Sequence, residues 1–91
     1  MLKVHELKIL PEYFADVESG AKKAEYRYND RDFKVGDVLI LREYENGDYT
    51  GRRLCFKITH ILEGVYGMPE KWAVLSIKPY KGGLKKCQNA L

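Results

Sequence analysis

The chain has 91 residues, of which 45% are hydrophobic and 12% aromatic, and it carries a net charge of +3 at pH 7. This composition excludes an intrinsically disordered protein, and the length fits one small domain that buries about 60–65% of its unfolded surface. No apolar run reaches the ~18–20 residues that cross a membrane, and the first residues lack the apolar segment of a signal peptide, so we expect a cytoplasmic protein.

The first two predicted elements are a strand and a short helix. Val4 to Ile9 alternates polar and apolar side chains, which is typical of a strand with one buried face. Pro11 suits the first position of a helix, because its missing N–H would have no partner there. The helix is predicted to run to about Ser19, and Gly20 fits the left-handed position that ends it.

The next two predicted strands differ in their surroundings. Ala24 to Asn29 has Tyr26 and Tyr28 on one face, where we expect both rings to pack inside the domain. Val38 to Leu41 is apolar on both faces, which predicts a central strand that is covered on both sides. This strand leads into Asn46-Gly47, the strongest hairpin signal in the chain.

The return strand of that hairpin and one more strand complete the predicted set. Arg52 to Leu62 alternates cleanly, which puts His60 on the apolar face and predicts a core histidine with a hydrogen-bond partner. The same interpretation applies to His5 in the first strand. Trp72 to Ile77 is the last predicted strand, and we expect Trp72, which opens it, to lie in the core.

The predicted fold is α+β and mainly β: a small barrel of about five strands with one short helix near the N-terminus. A chain this small with so many strands most easily closes them into a barrel, because closure removes exposed strand edges. Residues 1–80 are predicted to form the single domain, and residues 81–91 a basic, flexible tail.

The C-terminal part of the chain is basic. From residue 71 to residue 91 it has no acidic residue and five lysines: Lys71, Lys78, Lys81, Lys85 and Lys86. Such an end favours polyanions, and a solvated tail that aids solubility explains it equally well.

The two cysteines and two histidines show no ligand pattern. Cys55 and Cys87 lie far apart and form no CxxC motif, so we expect free, reduced thiols. His5 and His60 share no spacing motif with them, so no metal site is predicted. No cofactor is expected either.

The junction between the helix and the second strand is unusually charged. Lys22, Lys23, Glu25 and Arg27 fall within six residues there. They either neutralise each other in solvent or line a pocket that binds an anion. A regular strand puts Lys23 on the face of Glu25 and Arg27, with Lys22 opposite. Lys22 joins the cluster only if the chain after Gly20 is irregular, so the choice between the two lysines stays open.

Four segments of the chain together resemble an ASCH-type domain of the small stand-alone bacterial and phage branch. These segments are His5-Glu6-Leu7-Lys8, Pro11-Glu12-Tyr13-Phe14, Gly20-x-Lys22-x-x-Glu25-x-Arg27, and Asn29-Asp30-Arg31-Asp32-Phe33-x-Val35-Gly36-Asp37. The similarity extends from about Val4 to Ile77. It implies a PUA-like β-barrel, a fold related to RNA-binding modules.

The resemblance also implies a site. ASCH domains are thought to bind RNA or a nucleotide-like ligand in a cleft beside the Gly-x-Lys-x-x-Glu-x-Arg strand, which makes this chain an RNA-binding or nucleotide-binding candidate. The predicted centre consists of Lys22, Glu25 and Arg27. Lys23 is the alternative to Lys22 as the mobile positive charge of this centre. The predicted periphery consists of Arg31, Lys34, Tyr66 and the C-terminal lysines.

Two other functions stay open at this point. One ASCH branch is an amidohydrolase that removes the acetyl group from acetylated cytidine with Lys, Thr and Glu. Lys22 matches that lysine, whereas Glu25 stands where the threonine is expected, and Glu63 is a second acid–base candidate. The third interpretation is a protein-interaction domain that uses exposed tyrosines. Binding without catalysis is the preferred prediction.

Overall fold

The computed structural model describes residues 3–82 and residue 87. Its elements are β1 (Val4–Ile9), α1 (Pro11–Ser19), β2 (Ala24–Tyr28), β3 (Val38–Glu45), β4 (Asp48–Glu63) and β5 (Trp72–Pro79). The strands form one sheet in the order β1-β3-β4-β5-β2, in which β1 pairs parallel to β3 and the other pairs are antiparallel. The sheet curls into a half-barrel, so the prediction of a small, mainly β fold with five strands and one short helix is confirmed.

Helix α1 covers the concave face of the sheet and has local start and stop signals. Pro11 is its first residue, and Phe14 and Val17 are its buried residues. Gly20 closes the helix at φ 85°, where its N–H donates to the Val17 carbonyl at 3.3 Å. Within the described ranges, no helix is long and apolar enough to cross a membrane.

The cap at Gly20 gives a first testable prediction. Replacing Gly20 with alanine is expected to lower the free energy of unfolding by about 1 kcal/mol, because a Cβ disfavours the left-handed backbone by that order. No atom lies within 4 Å of the position of that Cβ, so the cost is one of backbone conformation and not of a clash. Urea unfolding measures it, and an unchanged midpoint would contradict the assignment.

Strand β3 is central, as predicted. All four side chains from Val38 to Leu41 are 0% exposed. Leu39 and Leu41 belong to the main core together with Phe14, whereas Val38 and Ile40 belong to a second cluster on the other face of the sheet. The strand therefore is covered on both faces.

The second cluster contains a disulfide bond, so the prediction of free thiols is wrong. Cys55 on β4 is bonded to Cys87, with 5.4 Å between the Cα atoms. Tyr80 and Cys87 pack on the same cluster, which brings together two cysteines that are 32 residues apart in the sequence. The predicted tail, residues 81–91, lies mostly outside the described residues.

A β-bulge in β4 changes which side chains face the core. The register between β4 and β5 shifts between Ile58 and His60, so that Thr59 is an extra residue. Ile58 is buried before the bulge, and Ile61 packs on the core after it, whereas His60 and Leu62 are exposed. The prediction that His60 is a core histidine is therefore wrong, because the bulge reverses the alternation.

The corresponding prediction for His5 is confirmed. His5 is buried on the concave face, and its Nε2 lies 2.9 Å from the Asp37 Oδ2. Asp37 Oδ2 also accepts from the Lys34 N–H at 3.0 Å, and the Phe33 ring contacts the imidazole edge-on. This buried pair fixes the entry to β3 against β1 and leaves no polar group there without a partner.

Candidate functional site

A cleft of about 460 Å³ opens between the end of β1, the first turn of α1 and strand β2. Three elements of the fold therefore contribute to its wall. The lining residues are Lys8, Ile9, Leu10, Tyr13, Lys22, Glu25, Tyr26 and Arg27.

Glu25 lies at the buried side of this cleft. In the sheet register it is opposite Leu75, a core residue, so its side chain shares the concave face. Only 4% of Glu25 is exposed. A buried carboxylate is costly unless cations and hydrogen-bond donors surround it, so the contacts of Glu25 decide what the site is.

Two cations bracket the Glu25 carboxylate, one on each oxygen. Lys22 Nζ lies 2.5 Å from Oε1 and also donates to the Ala24 carbonyl. Arg27 contacts Oε2 through Nε at 2.9 Å and through Nη2 at 2.9 Å, and Nη2 also donates to the Lys8 carbonyl at 2.9 Å. The three predicted central side chains therefore meet in one recess.

Both cations keep donors that no acceptor among the described residues uses. Lys22 has a third ammonium proton, and Nη1 of Arg27 has no acceptor among the described residues. Both side chains are partly exposed and line the cleft. Their two charges exceed the one charge of Glu25. The cleft can therefore bind an anion, while Glu25 orients the cations.

The structure answers the open question about the two lysines. Strand β2 begins only at Ala24, so the chain from Gly20 to Lys23 is irregular and Lys22 can reach Glu25. Lys23 does not line the first cleft; together with Lys22 it lines a second cleft, of about 660 Å³, at the other end of α1. The Lys22 N–H donates to the Asp16 carbonyl at 3.0 Å, which fixes this turn against the helix.

The predicted peripheral residues lie in different places. Arg31 lies outside the first cleft and donates from Nη1 to the Glu6 carbonyl at 2.8 Å. Lys34 forms an exposed ion pair with Asp32 at 3.1 Å. Tyr66 is fully exposed on the loop between β4 and β5 and is not among the residues that line the clefts.

Glu63, Tyr28 and Trp72 lie outside the first cleft, whereas Tyr26 is one of its lining residues. Glu63 accepts from Asn29 Nδ2 at 3.3 Å and is exposed. Tyr26 and Tyr28 are 53% and 45% exposed, so the prediction that they pack inside the domain is wrong. They lie on the face opposite Glu25, where Trp72 stacks on Tyr26 with 4.8 Å between ring centroids and contacts Tyr28 edge-on. Trp72 is only partly buried.

Five of the eight lining residues were not among the predicted site residues: Lys8, Ile9, Leu10, Tyr13 and Tyr26. Lys8 is on the exposed face of β1, and its Nζ lies 4.4 Å from the centroid of the Tyr44 ring. Tyr13 is on the exposed side of α1, next to the buried Phe14. The alternation of β1 marks Lys8 as exposed, but its position beside β2 depends on the curl of the sheet. Within the described ranges, no group of three His, Cys, Asp or Glu residues could hold a metal ion.

Comparison with known proteins covers the segment that forms this cleft. A family model described as "Domain of unknown function (DUF3850)" matches residues 4–77. The chain is also 43% identical over 63 residues to the "Uncharacterized 12.9 kDa protein in GpA 3'region" of Escherichia phage P2. That alignment covers 69% of this chain and 58% of the phage protein, so the chain spans little more than half of this relative.

Proposed function

We propose that this chain, which belongs to the DUF3850 family of domains of unknown function, binds RNA or a nucleotide-like ligand at the cleft beside β2. The observation that carries the proposal is the bracketed carboxylate: Glu25 holds Lys22 and Arg27 in one recess while both keep unused donors. A phosphate group fits such a recess, because an arginine fork and a lysine ammonium are the usual partners of phosphate oxygens.

Aromatic side chains beside the recess support a nucleotide over a simple anion. Tyr26 lines the cleft next to Arg27, is half-exposed, and has Trp72 stacked on it. Tyr13 contributes a second ring from α1. Unpaired bases are commonly held by stacking on such rings, and stacking tolerates any base. A phosphate site with rings at its rim therefore matches the two parts of a nucleotide.

The relationship to ASCH domains stays a prediction, and the position of the site agrees with it. The Gly-x-Lys-x-x-Glu-x-Arg segment that carries the resemblance supplies all three residues of the bracketed carboxylate.

The amidohydrolase alternative has less support from the contacts. Lys22 donates to two acceptors, Glu25 and the Ala24 carbonyl, whereas an activating base must offer a lone pair to water. Glu63 contacts Asn29 and is not in the recess. The protein-interaction alternative would use the exposed tyrosines and needs no recess at all. The bracketed carboxylate therefore favours binding.

Exchanging Lys22 for glutamine tests the proposal, with Lys23→Gln as the matched control in the neighbouring position. With a labelled, mixed-sequence single-stranded RNA, Lys22→Gln is expected to weaken binding about tenfold and to reduce the salt slope by about one, because one phosphate contact is lost. Lys23→Gln removes the same charge from the other cleft and is expected to change affinity less than about twofold.

Fluorescence anisotropy at several salt concentrations gives the affinity and its salt slope, and circular dichroism shows that each variant is folded. Equal losses in the two variants would indicate a diffuse charge effect and would contradict a site at Lys22. Absence of RNA binding by the unaltered chain at low salt would overturn the proposal itself.

A further inference from the structure

The half-barrel has a gap that side chains span. Within the described residues, β1 pairs only with β3 and β2 pairs only with β5, so β1 and β2 are the two end strands of the sheet. Arg27 donates to the Lys8 carbonyl at 2.9 Å, and Arg31 donates to the Glu6 carbonyl at 2.8 Å. We call this gap, closed by two arginine side chains and not by a backbone ladder, the seam.

A further cleft of about 350 Å³ lies along the seam beyond Arg27. It shares Tyr26 and Arg27 with the first cleft, so these two side chains separate the two clefts. Its lining residues are Leu7, Tyr26, Arg27, Tyr28, Asp30, Arg31, Phe33 and Trp72. The two clefts together form one groove along the seam, which we call the seam groove.

The second half of the seam groove also places a cation beside aromatic rings. Arg31 is an exposed cation that uses Nη1 on the Glu6 carbonyl, and its Nη2 has no acceptor among the described residues. Tyr28 and Trp72 supply half-exposed and partly buried rings, in edge-on contact at 5.7 Å between centroids. Asp30 also lines this half, so its negative charge offsets that of Arg31, and a phosphate here depends on direct hydrogen bonds from the guanidinium and not on a net positive charge. A cation beside aromatic rings is again what a nucleotide needs.

The two arginines are held at a definite spacing. Their acceptors, the carbonyls of Glu6 and Lys8, are two residues apart on one strand, so they point the same way at a separation of about 6–7 Å. That separation is close to the distance between successive phosphates of an extended nucleic acid strand. A duplex would not offer its bases to the rings of the groove, because they are stacked and paired inside it.

We propose that the seam groove binds at least two consecutive nucleotides of single-stranded RNA, with one phosphate at Lys22 and Arg27 and the next at Arg31. This inference rests on the proposed function and distinguishes its two possible ligands: an RNA segment fills both halves of the groove, whereas a mononucleotide fills only one.

The test compares uridine monophosphate, the dinucleotide UpU and the trinucleotide UpUpU on the full chain by calorimetry. Affinity is expected to rise at least about tenfold from the mononucleotide to the trinucleotide, because a second base stacks and a second phosphate is bound. Arg31→Gln is expected to remove most of this gain and to leave mononucleotide affinity within about twofold.

Lys34→Gln is the matched control, because Lys34 lies in the same loop and does not line the groove. It is expected to leave both affinities within about twofold, since the charge removed is solvent-exposed, paired with Asp32 and outside the groove lining. Tyr28→Leu keeps both arginines and is a second variant in case Arg31→Gln opens the seam and unfolds the chain. It is expected to weaken the trinucleotide and not the mononucleotide.

The outcomes separate the two proposals. Equal affinities for the mononucleotide and the trinucleotide would overturn the seam groove while leaving the first cleft intact. The same conclusion would follow if Arg31→Gln and Tyr28→Leu each weakened the binding of the mononucleotide as much as the binding of the trinucleotide. A double-stranded RNA bound as tightly as a single strand would also overturn it. Failure to bind any of the three ligands, with no effect of Lys22→Gln on longer RNA, would overturn the proposed function.

Discussion

Replacing Glu25 with glutamine is expected to weaken RNA binding about tenfold, a loss of about 1.4 kcal/mol, although the change makes the cleft more positive. The reason is that the carboxylate accepts from both cations, through Oε1 from Lys22 and through Oε2 from Arg27. A glutamine amide has one acceptor oxygen and presents an NH₂ group to the other cation, which would then turn away. The lost orientation of Lys22 and Arg27 is expected to weaken RNA binding more than the added positive charge strengthens it.

The matched control is Glu63→Gln, which neutralises an exposed carboxylate outside the recess. This variant is expected to bind RNA as well as the unaltered chain or slightly better, because only the long-range field changes. Anisotropy titrations at fixed salt compare the two. Tighter binding by Glu25→Gln would show that charge and not orientation governs the site.

The Glu25→Gln substitution is also expected to lower the stability of the protein. The free energy of unfolding should fall by about 1–3 kcal/mol, because charge-assisted hydrogen bonds to a buried carboxylate are lost. This loss of stability is smaller than the loss expected when one partner of a fully buried ion pair is removed, since Lys22 and Arg27 are partly exposed and can be hydrated. Urea unfolding of both glutamine variants measures the difference.

Truncation of Phe14 to alanine is expected to have the largest effect on stability, about 3–5 kcal/mol. Phe14 is 1% exposed and is the side chain that fixes α1 to the concave face of the sheet. The Arg52 guanidinium lies 4.5 Å from its ring centroid and also pairs with Glu18 of the helix at 3.0 Å. The loss is a large share of the roughly 5–14 kcal/mol expected for a domain of this size.

Tyr13→Ala is the matched control for this prediction. Tyr13 is the preceding residue in the same helix, but it is 47% exposed and lies outside the core cluster. Its truncation is expected to cost less than about 1 kcal/mol. If Phe14→Ala lowered the free energy of unfolding by no more than Tyr13→Ala, the helix would not be held by the packing described above.

The parts of the fold that follow from local signals could be predicted from the sequence. Pro11 and Gly20 gave the bounds of α1, because each residue restricts its own backbone in a known way. Asn46 and Gly47 gave the hairpin, and both have the positive φ that its tight turn needs, 53° and 85°.

The parts that depend on distant contacts could not be predicted. The bulge at Thr59 is set by pairing with β5, and no residue in β4 marks it. The bond between Cys55 and Cys87 depends on how Tyr80 and Cys87 pack on the outer face. Strand alternation alone placed His60 on the core face, because it does not reveal the bulge at Thr59.

The candidate site was predictable in composition and not in arrangement. The density of charge around Glu25 indicated a cluster, but the choice of Lys22 over Lys23 depends on the irregular turn after Gly20. The tyrosines of β2 were assigned to the interior because rings usually pack there. In this strand the concave face is occupied by Glu25 and Arg27, so the rings lie outside.

The seam has a consequence for how molecules of this protein meet in solution. The outer edge of a terminal strand is a template on which a strand from a neighbouring molecule can add, which is a common start of aggregation. On β1, the guanidinium groups of Arg27 and Arg31 occupy the carbonyls that such an intruding strand would need. A strand adding at this edge would have to displace both guanidinium groups from these two carbonyls, so pairing of β1 with a second copy is disfavoured.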